Sequence, residues 1–115
     1  MKSKELRIGN YVDLGNRIGK IHEIYSKSCV VVDLEETQDT IEDYERTKPI
    51  PLTEEWLINF GFKQLDKYTW LKNGWFVYNR KRGFVTGSKK REIKLSFVHK
   101  LQNWYYLTGE ELTIK

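Results

Sequence analysis

The sequence predicts an α+β fold, and three observations predict it. Short β-rich runs with glycines at their bends fill residues 6–48. A short capped helix stands between two prolines and a glycine. An antiparallel meander then ends in an amphipathic helix. The division this implies is a β subdomain over residues 1–48 and a helix-plus-sheet unit over residues 49–115, itself one compact unit.

Taken in order, Leu6 to Asp13 opens with alternating apolar residues and a Gly9-Asn10 turn signal, and Gly15-Asn16 marks a second turn. Ile18 to Tyr25 reads as a strand bent at Gly19. Ser26-Lys27-Ser28 is a turn, and Cys29 to Leu34 is a strongly β-branched strand. Short strands this closely spaced suggest a small, partly open barrel. Their rhythm is similar to that of SH3-like small barrels, a likeness confined to about residues 6–48. Such barrels bind peptides, RNA or proteins, so the likeness does not choose a ligand.

From Asp33 to Glu45 the chain is acidic, with Asp33, Glu35, Glu36, Asp39, Glu42 and Asp43 and no cation before Arg46. The spacing lacks the glycine and glutamate positions of an EF-hand loop. A solvated acidic loop and a surface that fits a basic groove are the two readings it leaves. Ile41 and Tyr44 are expected to tether the segment to the barrel.

Pro49 and Pro51 cannot donate to a strand ladder and end the preceding sheet. Thr53 is a good N-cap, and Glu54 and Glu55 complement the positive end of the first helical turn. Leu52 and Leu57 have the spacing of a hydrophobic staple. Gly61 supplies a left-handed stop that folds Phe62 back on Leu57. A hinge helix over residues 54–60 follows, with Trp56, Leu57 and Phe60 directed into a core.

Beyond it, Tyr68-Thr69-Trp70-Leu71 and Trp75-Phe76-Val77-Tyr78 flank Asn73-Gly74, the strongest short hairpin signal, which sets Lys72 opposite Trp75. Phe84 to Thr86 and Arg91 to Leu95 continue the meander between basic turns. Ser96 is the expected cap of the last helix, whose stripe is Phe97, Leu101, Trp104 and Tyr105. Gly109 stops it, and Leu112-Thr113-Ile114 is expected as a closing edge strand.

Charge and composition narrow the function. No apolar run approaches the ~20 residues a membrane helix needs, and no secretory h-region follows Met1. One cysteine, Cys29, excludes an internal disulfide, fits a reducing cytoplasm and reads as a buried thiol. His22 and His99 are too few for a metal set or, with Cys29, for a thiol enzyme. Gly83 to Lys90 fails the phosphate-loop pattern. The expectation is a non-enzymatic protein with no cofactor. Residues 1–62 carry 8 Lys/Arg against 12 Asp/Glu, whereas residues 63–115 carry 12 against 4. The two halves therefore present opposite electrostatic faces.

In the basic half, Lys72, Arg80, Lys81, Arg82, Lys89, Lys90 and Arg91 lie on turns beside Trp75 and Tyr78. Cations neutralise phosphates while exposed rings stack on unpaired bases. The alternative is that the rings form a buried face and the charges only solubilise its rim. Alternation cannot put Trp70, Trp75, Tyr78 and Phe84 on one face, so some must point outward. Since the last helix covers one face, an aromatic patch on the other is the binding candidate.

Lys4-Glu5-Leu6-Arg7-Ile8-Gly9-Asn10-Tyr11-Val12, Ile50-Pro51-Leu52-Thr53-Glu54-Glu55-Trp56-Leu57 with Phe60-Gly61-Phe62, and Val98-His99-Lys100-Leu101-Gln102-Asn103 with Leu107-Thr108-Gly109-Glu110-Glu111-Leu112 span nearly the whole chain. On these stretches the chain resembles a set of small uncharacterised phage and prophage proteins. The resemblance implies a mobile-element context in a bacterial cytoplasm and assigns no residue a role. With the divided charge, it leads to the expectation of a binding protein that acts on a host protein or ribonucleoprotein, in the manner of an anti-CRISPR inhibitor. The alternative expectation is a module that binds RNA or single-stranded DNA directly.

Overall fold

A computed structural model describes residues 5–15, 17–34, 39–81, 83–88 and 91–114. Among them, strands β1 (Tyr11–Asp13), β2 (Ile18–Ile24), β3 (Ser28–Asp33) and β4 (Asp39–Asp43) form one antiparallel sheet in the order β1-β2-β3-β4. After helix α1 (Glu54–Asn59) come β5 (Lys63–Asp66), β6 (Thr69–Lys72), β7 (Trp75–Arg80), β8 (Gly83–Ser88) and β9 (Arg91–Lys94), an antiparallel meander in chain order. Helix α2 (Val98–Tyr105) follows. The architecture is α+β.

The first sheet does not close into the small, partly open barrel that the strand spacing suggests. After β4 a 3-10 turn, Tyr44–Arg46, carries the chain back to the free edge of β1. It pairs there at Lys48 alone, through two Asp13–Lys48 backbone bonds of 2.9 Å. Pro49 then has no donor with which to extend the ladder. The acidic segment also departs from a loop, because residues 39–43 are strand β4, paired along β3 from Ser28↔Asp43 to Val32↔Asp39. Val30, Val31 and Val32 make β3 a favourable neighbour for any extended segment. Tyr44 is anchored as expected, its hydroxyl donating to the Tyr25 carbonyl. Ile41 is not, being 77% exposed.

The prolines do more than end a sheet. Pro51 bridges Phe97, flanked by Leu52 N–H donating to the Ser96 carbonyl (3.0 Å) and Val98 N–H donating to the Ile50 carbonyl (2.8 Å). Its own missing donor faces away from that pair. Ser96 is thereby held in extended backbone, and the N-cap of α2 is Phe97, with no side-chain cap. Thr53 Oγ1 does cap α1, accepting from Trp56 N–H at 3.4 Å. At its other end Gly61 N–H donates to Ile58 O and Phe62 N–H to Leu57 O, both 2.9 Å, a complete Schellman stop. Lys63–Asp66, unassigned by sequence, pairs with β6, whereas residues 112–114 form no strand.

The larger core lies between one face of the meander (Trp70, Val77, Phe84, Leu95) and the two helices (Leu57, Phe60, Val98, Leu101, Tyr105). A smaller one joins Leu6, Val12, Ile21, Cys29, Val31 and Tyr44. Strand β1 serves both, since consecutive side chains point to opposite faces: Tyr11 enters the first cluster and Val12 the second.

A polar clasp ties the chain ends across α2. Gln102, fully buried, accepts from Tyr11 N–H (2.9 Å) and donates to the carbonyls of Gly9 (2.9 Å) and Leu112 (3.4 Å). Asn103 Oδ1 accepts from Asn10 (2.8 Å) and Arg7 Nε (3.2 Å), and its Nδ2 donates to the Glu5 carbonyl (2.9 Å). Arg7 grips Glu111 with both terminal nitrogens, at 2.8 and 3.0 Å, and lies 4.1 Å from the Tyr106 ring centroid. Gly9 has φ +98°, which strains any residue with a side chain, and a Cβ there would stand 2.8 Å from Glu111 Oε1 and push that carboxylate aside.

Two predictions follow from this packing. Gln102→Leu strands one buried backbone donor and two acceptors, and should lower unfolding stability in urea by about 2–4 kcal/mol. His99 is 1% exposed, and among the described residues neither ring nitrogen has a hydrogen-bond partner. Burial, then the Lys100 charge, lowers its pKa from 6.5 to about 4, against an opposing pull from Glu5. Because the folded pKa lies below the unfolded one, the neutral ring's contribution is full above pH 6.5 and is lost as pH falls toward 4. The urea midpoint should fall between pH 7 and pH 4.5 by more in the parent than in His99→Leu.

Candidate nucleic-acid interface

The hairpin that builds the site is set by two residues. Asn73 (φ 49°) and Gly74 (φ 81°) both take positive φ, the type I′ geometry that matches strand twist. The resulting register, Lys72↔Trp75, Leu71↔Phe76, Trp70↔Val77 and Thr69↔Tyr78, is the one the sequence predicts. It decides which rings reach solvent. Trp70 and Val77 face the helices, so Phe76, Tyr78 and Arg80 stand in a row on the opposite face of β7.

That row is ordered by stacking. The Phe76 and Tyr78 rings are parallel to within 6° with centroids 6.1 Å apart. The Arg80 guanidinium lies 5.0 Å from the Tyr78 centroid, and its Nε is 4.0 Å from Glu92 Oε1, an exposed pair that orients more than it binds. Phe76 is 40% exposed and Tyr78 half-buried. Val85 lies beside Tyr78, and exposed Lys94 beside Val85, so a second cation borders the rings. Lys63 stands in the Leu71–Phe76 row on β5. A planar base can lie against such a surface while the cations meet its phosphates.

Of the residues singled out in sequence, Tyr78 and Arg80 are brought together here, with exposed Lys81 on the adjoining turn. Lys72 and Trp75 are not. Trp75 lies on the helix side, edge-on to Trp104 with centroids 5.2 Å apart. Lys72 donates through Nζ to the carbonyl of Phe60, the C-cap of α1, and lies 5.6 Å from the Tyr105 ring. A cation there complements the negative end of the helix. Arg91 is exposed on edge strand β9, in the alternation that shares Ile93's side rather than Lys94's. Arg82, Lys89 and Lys90 lie outside the described residues. Phe76 was missed, although its place two residues before Tyr78 on an alternating strand is the signal that finds it.

The acidic residues do not form one surface either. Glu42 is half-buried and its carbonyl accepts from the Cys29 thiol at 3.7 Å, while Asp43 is exposed at the end of β4. Asp33 ends β3 and lines a groove of about 870 Å³ with Tyr11, Lys20, Val32 and Leu34. Glu35, Glu36 and the side chain of Asp39 lie outside the described residues. Cys29 is fully buried, and burial, then the Glu42 charge, pushes its thiol up and away from the reactive thiolate. Among the described residues no three His, Cys, Asp or Glu side chains gather as a metal site, and no helix is long and apolar enough to cross a membrane.

No protein-family model matches the chain, and no curated protein or solved structure matches it. Its functional reading therefore rests on the sequence and the geometry.

Lys72→Met separates the structural cation from the candidate binding cations. It should lower stability by about 0.5–1 kcal/mol in thermal denaturation through the loss of the helix-end contact. It should leave oligonucleotide affinity within two-fold, roughly, because Lys72 is directed away from the open face.

Proposed function

We propose that this is a non-enzymatic binding protein of phage type that holds single-stranded nucleic acid against the open face of its meander. The observation that carries the reading is the row Phe76, Tyr78 and Arg80, two parallel rings with a guanidinium stacked on the second. Ring faces take bases of any sequence, and single strands present bases that a duplex keeps stacked inside. The +8 balance of residues 63–115 supports it by supplying the field that draws phosphates in. A binding rather than a catalytic role is supported by the sequence, in which one cysteine and two histidines compose no catalytic set.

A second reading is favoured by the acidic strand β4. In it the ligand is a host ribonucleoprotein, and the chain acts as an anti-CRISPR-like inhibitor of an RNA-guided nuclease, its basic face on RNA and its acidic face in a basic groove. The resemblance to small phage proteins gives that reading its setting, the cytoplasm of a bacterial host. The SH3-like character of residues 1–48 belongs with it: the four-strand order, the 3-10 turn and the Asp13–Lys48 return bridge support such a likeness without closure.

The deciding experiment measures binding to single-stranded RNA, single-stranded DNA and duplex DNA across a salt series. Single strands should be preferred, with affinity falling steeply as salt rises. Phe76→Ala and Tyr78→Ala should each weaken binding roughly ten-fold or more, and Arg80→Ala should reduce the salt slope by about one. Absence of binding at low salt would reject direct contact and leave the ribonucleoprotein reading.

A further inference from the structure

We propose that the free edge of β4 is a docking strand for an extended, basic segment of a protein partner. Three features converge on it, none of them part of the nucleic-acid face.

Strand β4 ends its sheet: among the described residues it pairs with β3 alone, so one row of its backbone donors and acceptors faces outward. Ile41 sits at its centre and is 77% exposed. Directly across from it is half-buried Val30, and across from Val30 on β2 is exposed Glu23. Exposed Asp43 stands two residues along from Ile41, on the same face. An apolar Val30–Ile41 pair is thus bracketed by carboxylates.

Free edges are commonly guarded by lysine, proline or covering elements. The two edge strands of the other sheet follow that habit, with Lys63 on β5 and Arg91 and Lys94 on β9. β4 instead carries Asp39, Glu42 and Asp43, no cation, and a bare isoleucine. An added strand would meet the outward backbone groups, as in recognition by β-strand addition. One apolar side chain would lie over Ile41 and Val30, and flanking lysines or arginines would meet Asp43 and Glu23. The charge selects this occupant over two others. Phosphates would be repelled by the carboxylates, and a second copy pairing edge to edge would set acidic strands against each other.

The probe is an alternating lysine–valine peptide, with its glutamate–valine counterpart as control, followed through the backbone amide resonances of the full chain. The lysine peptide should shift residues of β3 and β4 and leave β7 unmoved. Ile41→Thr, which preserves strand preference and charge at an exposed position, should weaken it roughly ten-fold. The glutamate peptide should do nothing. Shifts scattered over other carboxylates and unaltered in Ile41→Thr, or no shifts, would overturn the proposal. So would β4 shifts that grow with protein concentration alone, the mark of a second copy, or β4 shifts produced by single-stranded RNA. Since oligonucleotide binding reads out at β7, the two proposals fail separately.

Discussion

The side-chain amide of Gln102 is the contact on which the arrangement of the chain depends. It sits fully buried on α2 and makes hydrogen bonds to backbone groups of Gly9, Tyr11 and Leu112. Those three lie on segments with no regular ladder between them. Without the amide, buried peptide groups at both ends would lack partners, at a cost comparable to a lost hydrogen bond each. Asn103 and the Arg7–Glu111 pair extend the same joint to its solvent side. The first and last stretches of the chain meet here, so the role of these residues in this fold is architectural.

From that joint the placement of the covered and open faces follows. Because α2 is held against β1 and the chain ends, its apolar stripe covers one side of the meander, where Trp70, Val77 and Phe84 are buried. The stripe is Val98, Leu101 and Tyr105, with Gln102 and His99 buried beside it, while Trp104 is only half-buried against Trp75. The other side of the meander is left with Phe76 and Tyr78. Rings there are steadied by each other and by Arg80 rather than by a core. That is the condition under which an aromatic row can receive a ligand without unfolding anything.

The two sheets differ in how they treat charge. On the meander the cations Arg80, Lys94 and Lys63 border an aromatic face. On the first sheet the carboxylates follow an edge, β4, and leave its central isoleucine bare. Lys72 shows that local charge does not decide use: its ammonium is committed to the C-terminal carbonyl of α1. Counting cations overstates the binding surface, since their stems reach in directions that only packing sets.

Local chemistry was enough to read several elements from the sequence. Thr53, Gly61 and Phe62 determined both ends of α1 because capping bonds span only a few residues. Asn73-Gly74 determined the hairpin register, and with it the alternation that sends Trp70 inward and Tyr78 outward. Other features were decided by tertiary structure. Ser96 has the chemistry of a cap, yet its backbone is taken by Leu52, forty-four residues away in the chain. Residues 39–43 read as an acidic loop and became a strand because β3 offered a free, β-branched edge. Ile41 reads as an anchor and stands in solvent, because nothing among the described residues packs on the outer side of β4. His99 lies off the stripe the sequence predicts for the last helix and is buried all the same. The sequence by itself determined what contiguous residues do to one another's backbone. Which face was covered and which edge left free depended on distant segments meeting, and no local pattern records that.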